Sequence, residues 1–150
     1  MPAIQTTYPP QIRAAVEGMV ADSGLKTVIS RTVETAAGVG FGLAVVQGAN
    51  DGGVIVPTVA GGVFRGLTVR DVTLPQSNAD AYLQYDEAAL MVTGVLWVTA
   101  QEAVTAGDPV SFEVTTGQLF STADATHDAI PGAIWDSSAA IGELAKVRLS

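Results

Sequence analysis

From residue 27 onward the chain is a succession of short runs rich in valine, isoleucine and threonine. Most runs are closed within a few residues by glycine, proline, asparagine or aspartate. The runs are Thr27–Glu34, Gly42–Gln47, Val54–Val59, Val63–Val72, Leu90–Thr99, Val110–Thr115, Gln118–Thr122, Ile130–Asp136 and Ile141–Leu149. β-Branched side chains suit a pleated, half-buried surface, and glycine and proline punctuate short strands. Asn50-Asp51-Gly52-Gly53, Gly61-Gly62, Ala106-Gly107-Asp108-Pro109 and Thr116-Gly117 supply the turns. The 20 valines and 15 threonines against only 4 phenylalanines fit the same picture. The spacing predicts an all-β protein of about nine short strands, built as a jelly-roll-like sandwich or a small β-barrel.

The remaining segments are few. Residues 1–12 are polar and proline-rich, and Pro9-Pro10 favours an extended conformation without internal hydrogen bonds. They are expected to form an extended N-terminal arm, with 13–150 as a single β domain. Arg13–Ala21 has room for one or two helical turns, and Asp80–Ala89 for one. Most strands should have one wet face, as Val110, Phe112 and Val114 alternating with Ser111, Glu113 and Thr115 suggest. Thr27–Val33 and Leu90–Thr99 are instead apolar on both faces, which points to a buried contact between subunits, with a central strand covered by a loop as the alternative.

Charge narrows the function. Only 15% of residues are charged, against about 25% in typical domains, and the net charge is −8. A binder of nucleic-acid backbone needs clustered Lys and Arg to displace counterions, so no nucleic-acid partner is expected. Arg65 and Arg70, five apart in one run, point to opposite faces and make no patch. There is no cysteine, which excludes disulfides, thiolate zinc sites and thiol nucleophiles. Thr35–Asn50 is uncharged apart from its neighbours but holds four glycines and falls short of the ~20 apolar residues of a spanning helix. No membrane partner is expected, and the first residues lack the basic and apolar regions of a signal peptide.

No catalytic constellation assembles. Gly38-Val39-Gly40-Phe41-Gly42 has close glycines, but a dinucleotide fingerprint needs a helix after it, and a strand follows. His127, the sole histidine, lies in the polar loop Asp124–Asp128. Asp86 and Glu87 are adjacent, whereas working carboxylate pairs face each other across a cleft. No cofactor and no metal are expected. A jelly-roll ligand-binding module of the cupin kind would need several converging histidines. Trp97 and Trp135 sit in strand runs and suit core packing or an interface.

Several segments together resemble the capsid cement (decoration) proteins of tailed bacteriophages. They are Phe41–Gly48, Phe64–Val69, Gly94–Val98, Val104–Val110, Ile130–Asp136 and Ala145–Leu149, so the resemblance spans roughly residues 10–149. It implies a non-enzymatic structural protein, made in the bacterial cytoplasm, that binds the outer surface of an icosahedral head. There it would strengthen joints between major capsid protein subunits, acting as a homo-oligomer, dimer or trimer. The family has no catalytic residues to carry over. A tail or head-completion component is the alternative. Candidate capsid or oligomer contacts are Ile4, Tyr8, Pro9, Pro10 and Arg13 in and beside the arm, and Arg31, Met91, Val95 and Trp97 in the body.

Overall fold

The computed structural model describes residues 15–75 and 80–150. Eleven strands account for its regular structure: β1 (Thr27–Val33), β2 (Val39–Gly40), β3 (Ala44–Gln47), β4 (Gly53–Ile55), β5 (Phe64–Thr68), β6 (Ala81–Tyr82), β7 (Glu87–Thr99), β8 (Pro109–Glu113), β9 (Leu119–Phe120), β10 (His127–Trp135) and β11 (Leu144–Leu149). Among the described residues there is no helix, and so none long and apolar enough to cross a membrane.

Pairing closes the strands into small barrels, the second of the two expected architectures. β1 pairs with β4, β4 with β3, β3 with β5, β5 with β7, and β7 returns to β1. From β7 a second ring runs through β11, β10, β8 and β9. A parallel bridge between Leu119 of β9 and Ala100, just past β7, closes it.

The 13-residue β7 belongs to both rings. Its first half lies between β1 and β5, its second half between β11 and residues 18–21. Leu90 packs in one core cluster with Val33, Val45, Val54 and Ala88. Leu96 and Val98 pack in the other with Phe112, Ile130, Trp135, Ala145 and Val147. Met91, on the opposite face from Leu90, joins the second cluster together with Ala44, Val46 and Leu67. The two barrels therefore share a wall, and Phe64 stacking on Phe112 at 5.9 Å adds to it. Gly94 marks the passage from one ring to the other: its φ is +133°, and a Cβ there would stand 2.9 Å from the Lys26 Cβ.

This arrangement accounts for most of the apolar character of β7 without a subunit contact, since its own chain covers both faces except at Val92 and part of Trp97. β1 differs, and its first half is largely exposed. Ser111 departs from the wet face expected for β8. It is buried, and its hydroxyl donates to the Thr122 carbonyl at 2.5 Å. The two helical segments expected are also replaced. Residues 18–21 lie along β7, with Gly18 N donating to Trp97 O at 2.8 Å and Ala21 N to Val95 O at 2.9 Å. Asp80–Ala89 holds β6, a turn at Leu83–Asp86 and the start of β7. In both places backbone bonds to a neighbouring strand satisfy the groups a helix would have satisfied internally.

Candidate interaction surface

The polar groups that looked most chemical serve the loops. His127 Nδ1 meets Asp124 Oδ1 at 2.9 Å, and its ring lies on Phe120 at 4.2 Å between centroids. Asp124 also accepts from Thr126 N and Oγ1, and these bonds, with a smaller part from His127, hold its carboxyl down at about 2. Glu87 accepts from Ser30 and Thr32 of β1, which lowers its pKa, whereas Asp86 caps Leu83 N at 2.8 Å. The adjacent carboxylates thus turn to separate partners. Gly38 and Gly42 donate their N–H groups to Thr35 O and Thr68 O, within the loop and to β5. Among the described residues no three of His, Asp and Glu gather as metal ligands.

The contact candidates fall into three places. Ile4, Tyr8, Pro9, Pro10 and Arg13 lie outside the described residues. Met91 and Val95 are buried within the chain's own strands, at 0% and 4% exposure, so they support a surface from beneath and do not present one. Arg31 and Trp97 are partly exposed. Arg31 Nη1 donates to the Ser30 carbonyl at 2.7 Å, and its Nε is buried without a partner among the described residues.

Trp97 borders an open groove of about 740 Å³, shared with Val16, Glu17, Arg70, Asp80 and Thr99. The Lys146 ammonium stands 5.7 Å from its ring. Arg70 forms part of the wall: Nε donates to Glu17 O at 2.8 Å, Nη1 pairs with Asp80 at 3.2 Å, and the guanidinium covers Phe41 at 4.7 Å. A partly exposed tryptophan beside fixed charges is the composition of an interface anchor. The described chain begins at this groove, with Glu17 hydrogen-bonded to Thr99.

A second surface escaped the sequence. Leu25 is 99% exposed just before β1, Val28 is exposed at the start of β1, and Val92 is exposed on β7 next to Met91, the partner of Val28. Val28 and Val92 stand in the two strands read as apolar on both faces. Leu25 follows the Asp22-Ser23-Gly24 turn, and an isolated apolar residue after a turn carries no periodicity to flag it.

The chain matches the family described as structural cement protein (E217 gp24/Pam3 gp6) over residues 4–150. No curated protein matches in sequence. Among solved structures it is similar to a chain in the capsid of Myoviridae phage XM1, with 20% identity and a TM-score of 0.79, covering 99% of this chain and 98% of that one. A further similarity is to the N base of the head fiber gp8.5 of bacteriophage phi29, at 16% identity and a TM-score of 0.48, covering 83% of this chain and 95% of that one. The first of these likenesses shows the same fold. The family match spans nearly every residue, and the chain accordingly belongs to the structural cement proteins of bacteriophages.

Proposed function

We propose that this cement protein acts on the outer surface of the phage head, as a non-enzymatic clamp across joints between major capsid protein subunits. The observation that carries the proposal is the family match over residues 4–150. A clamp adds buried contact across a joint that otherwise opens, and repetition over a symmetric shell multiplies the effect. It works without cofactor, metal or nucleic acid. Arg31 and Trp97 are its contact residues on the body, with Ile4, Tyr8, Pro9, Pro10 and Arg13 contributing from the N-terminal segment. Its partners are the major capsid protein and other copies of itself, as a dimer or trimer.

Cryo-electron microscopy of the native particle tests this. Density for the chain is expected at joints between capsomers, at a copy number of the same order as the major capsid protein. Low-copy density confined to the tail or the head–tail junction would replace the proposal with the head-completion alternative.

A further inference from the structure

β1 has an open edge. Along Thr27–Arg31 it pairs with β7 on one side only. On the other side β4 reaches just Thr32 and Val33. Thr32 N donates across that side to Gly52 O, whereas Val33 N turns the other way, to Asp86 O. By strand alternation Val28 and Ser30 present their N–H and C=O groups on the same side as Thr32. Among the described residues nothing pairs with them except the Arg31 guanidinium, which caps Ser30 O. The exposed Leu25, Val28 and Val92 lie at this same end. An unpaired edge beside exposed apolar side chains is a template for an added strand.

We infer that Ile4–Tyr8 of one copy adds as a strand to the Thr27–Arg31 edge of β1 in a neighbouring copy. The occupant follows from length, composition and reach. Pro2 and Pro9 bound a six-residue run without proline, Ala3–Tyr8, whose last five residues are enough to cover the five-residue open edge. Proline cannot donate to a ladder, so pairing ends where the edge ends. In an extended strand Ile4, Thr6 and Tyr8 share one face, so Ile4 and Tyr8 can be offered together to the exposed apolar end of β1 at Val28. The run has no charge, so adding it buries none.

Reach favours a neighbour over the same chain. The described chain starts beside Thr99, and Thr27, the near end of the edge, lies across from Thr93. These points on β7 are ~20 Å apart at ~3.3 Å per residue. The link from Tyr8 to Ala15 spans at most ~24 Å when fully stretched. The chain's own arm could lie along the edge only with Tyr8 held at Thr27 and the link most of the way to full extension, whereas an adjacent copy meets no such limit.

The inference rests on the proposal that the N-terminal segment is a docking element, and its test needs no capsid. The chain has no cysteine, so single cysteines report without background. A Thr6→Cys variant is mixed at high concentration with a Ser30→Cys or Val28→Cys variant of different tag and oxidised. A disulfide-linked heterodimer is expected, reduced at least tenfold when the first variant also carries Thr7→Pro. Thr6→Cys mixed with Ser138→Cys serves as the control for random collision. A yield no higher than that control overturns the inference. So does a Thr6→Cys/Ser30→Cys double variant that closes only within single chains.

Co-sedimentation of the wild-type protein with heads lacking it tests the clamp separately. Binding to heads without the cross-link removes only the arm exchange. A cross-link without binding leaves the exchange and removes the clamp.

Discussion

Thr68 is fully buried, and its hydroxyl does the work of two loop residues. It donates to Gly40 O at 2.7 Å and accepts from Leu43 N at 3.0 Å, so the loop before β3 is tied to the end of β5. Thr68→Val keeps the shape and leaves both groups without their partner. The expected loss is about 1–3 kcal/mol of stability, read from urea denaturation. Asp124 makes a prediction in pH. Its folded carboxyl titrates at about 2 against an ordinary 3.8, so its stabilisation of the loop before β10 is complete above pH ~4 and is lost as pH falls towards 2. The Thr126 amide, followed by NMR, is expected to shift with a midpoint near 2 and to lose that transition in Asp124→Asn. At this scale the sequence was only partly legible. His127 and Asp124 were visible as neighbours in a polar loop, but the contact with Phe120 depends on the pairing of strands that residue spacing cannot order.

At the scale of elements, the second barrel is fastened to the first by the turn between β8 and β9. Gly117 accepts at its carbonyl from Ala44 N at 2.9 Å and holds φ at +75°. A Cβ there would stand 2.3 Å from Ala44 O, which is backbone and cannot step aside. Gly117→Ala is therefore expected to cost at least ~1–3 kcal/mol, visible as a lowered Tm in calorimetry. A Gly107→Ala variant is the comparison, because a side chain there meets open space and only the positive φ is strained.

Most strands were readable from β-branched runs and turn residues, and β1, β3, β5, β9 and β11 fall inside their predicted runs. What failed were the starts of β7 and β10, each three residues earlier than the apolar run indicates, so that His127, read as a loop residue, is the first of β10. Glu87 reads as polar punctuation, yet its carboxylate is held by Ser30 and Thr32 across the ladder. The turn before it carries Tyr85 at φ +68°, a conformation sequence reasoning does not assign to tyrosine. The contact surface was half legible: Trp97 and Arg31 were named, whereas Met91 and Val95 looked like surface because nothing in the sequence reveals that two barrels close on one strand.

For the molecule as a whole, the low charge found its explanation mostly inside. Two core clusters in one small chain consume apolar residues that a single sandwich would have left at an interface. Deleting residues 1–10 is expected to leave the β domain folded, with an unchanged circular dichroism spectrum and Tm. Binding to heads should fall at least tenfold in co-sedimentation, and undiminished binding would make the segment passive. Heads lacking the protein altogether are expected to release DNA at a lower temperature than native heads, followed by dye accessibility on heating, and equal release temperatures would remove the clamp.

β7 also decides how this protein responds to being pulled. A load entering at the first barrel and leaving at the second travels along one continuous backbone, so it does not rest on the packing between the barrels alone. β1 and β11 flank β7 lengthwise, with registers running from Thr32–Glu87 to Thr27–Thr93 and from Leu144–Thr99 to Leu149–Gly94. Tension along β7 therefore stresses these ladder bonds side by side, in shear, and not one after another as in unzipping. A shell swelling under packed DNA pulls on its fastenings along the surface. A fastening whose two halves are threaded by the same strand yields as one unit or holds.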